Sequence, residues 1–134
     1  MRKWNLPLTY QPKIGPVIRG EITQTIRTGR KFSIGDLVRF YIWTFRPYRS
    51  PRITITDYAE IIYCNDITIN HFGINSNIRQ ALGYGVVIPW DQLNNLAGLD
   101  GIVPPTGEEL KRVLAEKNII PANGVDAQII RWKP

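Results

Sequence analysis

Residues 23–36 read Thr-Gln-Thr-Ile-Arg-Thr-Gly-Arg-Lys-Phe-Ser-Ile-Gly-Asp, a polar and basic segment that leads into the run Leu-Val-Arg-Phe-Tyr-Ile-Trp at residues 37–43. The β-branched and aromatic residues of that run favour a strand, and Gly35-Asp36 before it indicates a turn. Hydroxyl and cationic side chains are the groups that bond to phosphate oxygens and base edges. We therefore predict a strand over residues 37–45 that holds a polar loop, at which an anion or a nucleotide binds.

The length and composition indicate one globular domain, residues 1–134. The chain is 43% hydrophobic, which is enough to build its own core. No run reaches the ~18 apolar residues of a membrane span, and the basic N-terminus lacks the apolar core of a signal peptide. The single cysteine, Cys64, has no partner for an internal disulfide. We interpret it as a reduced, partly buried strand residue of a cytoplasmic protein.

The net charge of +6 is unevenly distributed along the chain. Residues 1–52 hold eleven Lys and Arg against two acidic residues, whereas in residues 53–134 the acidic residues are in excess by three. Clustered cations gain free energy by releasing counterions from phosphates. The asymmetry therefore favours RNA, single-stranded DNA or a nucleotide as partner, and the alternative is a basic, solvated face without a partner.

The pattern of apolar residues predicts an α+β fold. Strands are predicted at residues 6–10, 37–45, 53–69 and 125–132. Short helices are predicted over residues 12–20, from Pro89, and after the capping box Thr106-Gly107-Glu108-Glu109. Loops are predicted at residues 46–52 and 70–80, and Asn65-Asp66 is predicted as a bulge or turn. This order indicates a small, mostly antiparallel β-barrel with short flanking helices.

Four pieces of sequence, in a fixed order, cover most of the chain. They are Leu6-Pro7-Leu8-Thr9-Tyr10-Gln11-Pro12-Lys13; Gly20-Glu21-Ile22-Thr23-Gln24-Thr25-Ile26-Arg27; Lys31 through Gly35-Asp36; and Leu96-Ala97 with Asp100-Gly101-Ile102 and the closing Ile129-Ile130-Arg131-Trp132. The second is similar to a Gly-x-Lys-Thr-x-Thr-Ile-Arg motif. Together they resemble the ASCH family. The resemblance implies a PUA-like β-barrel that recognises RNA or modified nucleotides in a basic cleft beside the barrel.

The resemblance also implies a catalytic set in one branch of the family, the acetylcytidine amidohydrolases. That branch uses a lysine, a threonine and an acid. The threonine maps to Thr25, with Arg27 after it, and the acid maps to Asp100. The lysine position holds Ile22, which cannot accept a proton.

A base for catalysis would have to come from elsewhere in the chain. An arginine stays protonated and is a poor base, so Arg27 does not replace the lysine. Lys13, Lys31 or Glu21 would have to reach the site from another element. We therefore expect recognition rather than catalysis.

Two groups of side chains are candidates for contact with a nucleic acid or nucleotide. The first group lies in the polar segment and comprises Thr23, Thr25, Arg27, Arg30 and Lys31. The second group comprises Arg46, Arg49 and Arg52 with Tyr48. Cations interleaved with an aromatic ring suit a single-stranded backbone with a stacked base. The alternatives are structural: the threonines of the first group satisfy a strand edge or turn, its cations lie in a solvated loop, and the second group is a basic surface turn.

No cofactor or metal site is predicted. His71 is the single histidine and has no ligand spacing to another His or Cys, and the phosphate-loop, dinucleotide and nucleophile-elbow motifs are missing from the sequence. Three functions stay open. The first expectation is a module that binds RNA, single-stranded nucleic acid or a modified nucleotide. The alternatives are an amidohydrolase acting on an acetylated cytidine-type nucleoside and a non-catalytic interaction domain.

Overall fold

A computed structural model describes residues 1–46, 49–76, 87–117, 120 and 124–134. The described residues form an α+β fold, as the sequence predicted. The strands are β1 (Lys3–Pro7), β2 (Gln24–Thr28), β3 (Leu37–Trp43), β4 (Arg52–Thr54), β5 (Ala59–Asn70), β6 (Gly73–Ser76), β7 (Val87–Pro89) and β8 (Val125–Trp132). The helices are α1 (Gln11–Ile18), α2 (Asn94–Leu99) and α3 (Gly107–Glu116), with a 3₁₀ turn at Trp90–Gln92 before α2. No helix in these residues is long and apolar enough to cross a membrane.

The sheet is mostly antiparallel and is built around β5. β8 pairs along one side of β5, while β3 and β6 pair with opposite ends of its other side. β2 adds to β8, β7 adds to β6, and β1 and β4 add to β3, with β1 parallel to it. The predicted closure into a barrel is wrong for the described strands, because β1 and β2 each pair with a single neighbour and leave the sheet open between them.

The core consists of two apolar clusters that share β8. Ala127 and Ile129 contribute to one cluster, and Ile130 and Trp132 contribute to the other. The first cluster takes its remaining buried side chains mainly from the C-terminal end of β5 and from α2, α3 and the segments beside them. The second takes them mainly from β1, α1 and β3. The alternating directions of side chains along one strand therefore let β8 support both groups of helices.

The polar segment at residues 23–36 is not one loop. Residues 24–28 form β2, which pairs antiparallel with β8 from Gln24↔Arg131 to Thr28↔Ala127. Only residues 29–36 connect it to β3. β8 satisfies the backbone of β2 and the core takes up Ile26, which is 4% exposed. Tertiary pairing therefore outweighs the polar composition that predicted a loop.

Two strand boundaries also differ from the prediction. β1 lies earlier than the predicted strand at residues 6–10, because it pairs in register with β3 from Lys3↔Leu37 onward. The predicted stretch 53–69 is divided between β4 and β5. Its bulge lies between Ile61 and Tyr63 rather than at Asn65-Asp66, since both of those residues continue the ladder with β8.

The predicted loops are shorter than expected. Arg52 begins β4 by pairing with Trp43, although the prediction placed it in a loop. Residues 73–76 of the other predicted loop form β6, which pairs with β5. Pro47, Tyr48 and residues 77–80 lie outside the described residues.

The start of α3 was predicted correctly from its cap. Thr106 Oγ1 accepts a hydrogen bond from the backbone N–H of Glu109 at 3.2 Å. The carboxylate of Glu109 does not reach back to the cap, because it accepts from Arg112 instead. The first residue of the helix, Gly107, donates its N–H to Asn94 Oδ1 at 2.9 Å and so joins α3 to α2.

We predict that Gly107→Ala destabilises the fold by about 3 kcal/mol, because the added Cβ would overlap the backbone carbonyl of Trp90, which cannot move aside cheaply. Gly98→Ala on α2 is the matched control. Its Cβ would meet Pro105 at 3.6 Å, an ordinary contact, so it should stabilise by about 0.5–1 kcal/mol. Urea unfolding followed by tryptophan fluorescence measures both. A Gly107→Ala chain as stable as the wild type would contradict this packing of α3.

Candidate functional site

A cleft of about 210 Å³ opens between the unpaired edge of the sheet and the helices. Four elements bring polar side chains to it. Lys13 comes from α1, Thr25 and Arg27 from β2, Asp100 from the end of α2, and Lys117 from the end of α3. Its apolar wall is formed by Leu8, Ile26, Ile102, Val113 and Leu114. The cleft therefore combines an apolar surface with a few convergent polar groups, as binding sites for small molecules do.

A buried ion pair forms part of the cleft wall. Lys13 Nζ lies 3.5 Å from Asp100 Oδ2, and the two side chains are 5% and 8% exposed. The other carboxylate oxygen, Asp100 Oδ1, is buried and has no hydrogen-bond partner among the described residues. A buried acceptor without a donor costs free energy. This oxygen is closed to solvent, and the neighbouring Gln24 amide, whose Nε2 is also buried without a hydrogen-bond partner among the described residues, helps to stabilise the carboxylate.

The glycine that follows Asp100 allows the pair to form. Gly101 has φ +79°, and a Cβ on it would lie 3.3 Å from Cγ atoms of both Lys13 and Ile22. A side chain at residue 101 would therefore be strained and would press on the stem of the lysine. Ile22 and Lys13 thus pack around the same glycine. Lys13 therefore reaches the cleft next to Ile22, the residue that stands where the motif has a lysine.

Burial shifts both members of the pair toward their neutral forms, and the charge of each member opposes that shift in the other. Burial lowers the pKa of Lys13, and the charge of Arg27 lowers it further, while Asp100 opposes the shift. Burial raises the pKa of Asp100, which Lys13 and the Gln24 amide oppose. A lysine with a lowered pKa yields its neutral amine more readily than a solvated one, and that is the form that accepts a proton.

Thr25 and Arg27 are fixed on the edge strand β2. Arg27 Nη2 donates to the backbone carbonyl of Pro7 at 2.7 Å, and its Nε donates to Thr25 Oγ1 at 3.3 Å. The first bond connects β2 to the end of β1, across the gap where the sheet stays open. The Thr25 hydroxyl accepts from a cation and keeps its own proton available to donate.

Positive charge dominates the cleft. Lys13, Arg27, Arg30 and Lys117 line it, with Asp100 as the acidic residue among its described lining residues. The pKa of Lys117 is lowered to about 8, first by desolvation and then by the charges of Arg27 and Lys13. Each added positive charge in this space therefore meets repulsion, which an anionic ligand would relieve.

The first predicted group of residues is partly brought together. Thr25, Arg27 and Arg30 line the cleft with Asp100. Thr23 does not line it, and its carbonyl accepts from the backbone N–H of Trp132. Lys31 also lies outside, because its Nζ pairs with both carboxylate oxygens of Asp66 at 3.2 Å.

The second predicted group does not line the cleft. Arg46 and Arg49 are exposed in the loop after β3. Arg52 lies in β4, with its guanidinium carbon 4.8 Å from the centre of the Tyr41 ring. Tyr48 lies outside the described residues. A role for these arginines would therefore involve another surface.

Lys13 is the one member of the three proposed replacement bases that reaches the cleft. Lys31 pairs with Asp66, and Glu21 pairs with Arg19 at the surface. Lys13 and Val17 are four residues apart, a spacing that places two side chains on the same face of a helix. Both side chains are buried on α1, so this spacing was the feature of the sequence that pointed to Lys13. Lys117 was not predicted, and no local pattern indicates that the end of α3 approaches β2.

Cys64 is a partly buried strand residue, as the sequence predicted, whereas the expectation that His71 binds no metal remains a prediction. Cys64 is partly buried on β5, and its Sγ donates to the carbonyl of Phe32 at 3.4 Å. Burial raises the pKa of this thiol, and Asp66 raises it further, which disfavours the reactive thiolate. Within the described part of the chain, no three His, Cys, Asp or Glu side chains are placed to hold a metal ion.

We predict that Lys13→Met destabilises the fold by about 3–5 kcal/mol, because it leaves the Asp100 carboxyl buried beside an apolar side chain. The double variant Lys13→Met/Asp100→Leu should recover most of that loss. Chemical denaturation of the wild type, Lys13→Met, Asp100→Leu and the double variant measures the coupling free energy between the two side chains. If the two single losses simply add in the double variant, the pair is not the interaction that holds α1 to the end of α2.

Comparisons of the chain with protein-family models, with curated proteins and with solved structures found no match.

Proposed function

We propose that the cleft binds a nucleotide, either free or as one unpaired nucleotide of an RNA or DNA strand. The observation that carries this proposal is the composition of the cleft, which combines a carboxylate, an apolar wall and an excess of cations in one small space. A nucleotide offers the complementary groups, since it has N–H donors on the base, an apolar ring and an anionic phosphate.

The size of the cleft supports a single nucleotide. Its volume of about 210 Å³ lies below the ~300–1,000 Å³ of pockets for drug-sized ligands. A base and part of its sugar fit such a space, whereas a duplex does not. A strand would therefore have to present an unstacked nucleotide, which is how single-stranded RNA is usually recognised.

Each polar group has a defined role in this proposal. The Asp100 carboxylate, which lines the cleft, accepts from an N–H of the base, and the Thr25 hydroxyl donates to a ring nitrogen or carbonyl of the base. The apolar wall packs against the ring, with Ile102 and Leu114 among its members. Arg30 and Lys117 hold the phosphate.

The sequence resemblance adds support to the same proposal. We infer that the domain belongs to the ASCH family and has a PUA-like fold, because its four ordered pieces match that pattern and the family is associated with nucleotide recognition beside a β-barrel. The residues that carry over, Thr25, Arg27 and Asp100, are the ones that line the cleft. A role as an interaction domain alone has no supporting observation, because the cleft is not filled by its own side chains.

We predict that cytidine monophosphate or a base-modified form of it binds wild-type protein in calorimetric titration, and that Arg30→Ala weakens this binding about tenfold by removing a charge-assisted hydrogen bond to phosphate. Lys31→Ala is the matched control, since it removes an equal charge from the next residue, outside the cleft. Its affinity should stay within about twofold of the wild type, as for an exposed, paired charge.

The pH dependence of the same titration provides an independent check. Lys117 carries its full charge below its pKa of about 8 and loses it above. Affinity for the phosphate should therefore fall between pH 7 and pH 9, and the fall should be smaller in Lys117→Met. Ribose 5-phosphate tests the anion alone and cytidine tests the base alone. No binding of any of these ligands, or equal loss in Arg30→Ala and Lys31→Ala, would remove the proposal.

A second candidate function is hydrolysis of an amide on a modified nucleoside. Ile22 argues against it in the sequence, but the position of Lys13 reopens it. Lys13, Thr25 and Asp100 are a lysine, a threonine and an acid that line one cleft, and the pKa of the lysine is lowered by burial. The three types of residue used by the amidohydrolase branch are thus present, with the lysine supplied by α1.

The chemistry of this second candidate follows from those groups. The Thr25 oxygen attacks the amide carbonyl carbon as its proton passes to the neutral amine of Lys13. The C–N bond then breaks, and the proton moves from Lys13 to the leaving amine. Water hydrolyses the acyl-threonine ester, which releases the acid and restores Thr25. Arg27 donates to the threonine oxygen and so favours its anionic form.

We predict that, if this chemistry operates, the protein converts N4-acetylcytidine to cytidine and acetate, and that Thr25→Val reduces the rate by about a hundredfold or more. Thr25→Ser, which keeps the nucleophile, should retain most of the activity. Chromatographic separation of substrate and product measures the rate. No turnover, or turnover that Thr25→Val leaves intact, would rule out hydrolysis while leaving nucleotide binding to be judged by titration.

A further inference from the structure

The outer face of β1, β3 and β4 carries side chains that the cleft does not use. Val38 and Phe40 of β3 are buried, so the alternating residues Arg39, Tyr41 and Trp43 lie on the opposite face. Strand pairing places Asn5 beside Arg39, and Arg52 beside Trp43. Aromatic and cationic residues thus alternate across three neighbouring strands.

Cations lie over the aromatic rings of this face. The guanidinium of Arg52 lies 4.8 Å from the ring centre of Tyr41 and 5.9 Å from that of Trp43. Arg39 lies 4.6 Å from the ring centre of Tyr58, and Lys3 Nζ lies 5.4 Å from it. Tyr41 and Trp43 meet edge to face at 5.5 Å. The rings are therefore held in fixed orientations, with positive charge beside each of them.

The positive charge of this face is not neutralised by acidic residues. Among the described residues, five cations on or beside the face form no ion pair: Lys3, Arg39, Arg46, Arg49 and Arg52. By contrast, Arg19 pairs with Glu21, and Lys133 pairs with Glu60. Much of the excess charge in the first 52 residues is therefore concentrated on one surface.

A shallow groove of about 200 Å³ crosses this surface. It runs over β3 from β1 to β4, and it is lined by Asn5, Arg39, Tyr41, Arg52 and Thr54. Most of these side chains carry hydrogen-bond donors, and two of them are cations. A groove of this kind follows an anionic backbone, and bases can stack both on aromatic rings and on the guanidinium planes that cover them.

We propose that this outer face binds single-stranded nucleic acid, with phosphates on Lys3, Arg39 and Arg52 and with bases stacked against the layer of rings and guanidinium groups that Tyr41, Tyr58, Arg39 and Arg52 form. Charge complementarity selects a polyanion. The pairing of each cation with a ring favours a strand with exposed bases over a duplex, whose bases are already stacked. The site is separate from the cleft, and it does not require the cleft to bind a nucleotide.

The test is fluorescence anisotropy with labelled oligouridylate and oligothymidylate of about 15 nucleotides, titrated from about 50 to about 200 mM salt. Wild-type affinity should fall steeply with salt. Arg39→Gln or Arg52→Gln should weaken binding about tenfold and reduce the salt slope by about 0.7, the value for one phosphate of a single strand. Tyr41→Leu should weaken binding without changing the slope, because it removes stacking rather than charge.

The matched controls are Arg19→Gln and Lys133→Gln, which remove the same charge from paired residues outside this face. Their affinity should stay within about twofold of the wild type. The proposal is overturned by no binding at low salt, by equal losses in the controls, by preference for duplex, or by binding to phosphatidylserine vesicles without binding to oligonucleotides. Circular dichroism checks that each variant is folded, and nucleotide titration of the wild type judges the cleft separately.

Discussion

The cleft depends on one buried ion pair, between Lys13 of α1 and Asp100 at the end of α2. Removing two charges from water is costly, and well-packed apolar residues often stabilise a protein as well as such a pair does. Here the pair also leaves a carboxylate oxygen without a partner. A contribution to stability is therefore a weak explanation for the presence of this ion pair. Its chemistry gives a better one, since it places a proton donor and an acceptor at the wall of a small apolar space.

The open edge of the sheet is what makes that space available. β1 and β2 approach each other, but the contact between them is a side-chain bond, from Arg27 to the carbonyl of Pro7, rather than a backbone ladder. A ladder at this place would bring the two strands to about 4.8 Å and leave no gap. Arg27 thus acts as a spacer that holds the edges together at side-chain distance. It also fixes the hydroxyl of Thr25 beside the pair.

Local sequence patterns correctly predicted β8 and the start of α3, whose structure depends mainly on their own residues. β8 occupies the predicted residues, and α3 begins at the predicted cap. β2 was missed because its polar composition says nothing of the partner strand that satisfies its backbone. The residues of the cleft likewise divide into those that local sequence predicts and those that only the tertiary structure brings together. Thr25, Arg27, Arg30 and Asp100 could be found along the sequence, whereas the convergence of Lys117 with them is a tertiary fact. The chain has Ile22 at the position where the motif has a lysine, but Lys13 of α1 brings a lysine to the same cleft.

Eight of the eleven cations in the first 52 residues lie either in the cleft or on or beside the outer face of β1, β3 and β4. Lys13, Arg27 and Arg30 line the cleft, while the unpaired cations of the outer face surround β3. β1 borders both faces, because Pro7 lies in the cleft wall and Asn5 lies in the outer groove two residues earlier. Under the two binding proposals, β1 would contribute both to the surface that holds a strand and to the cleft that holds one nucleotide. The outer face would then supply affinity that does not depend on base sequence, from contacts with phosphates and from stacking. The cleft would discriminate between bases, because a base that leaves a buried acceptor unpaired does not offset the free energy of its desolvation.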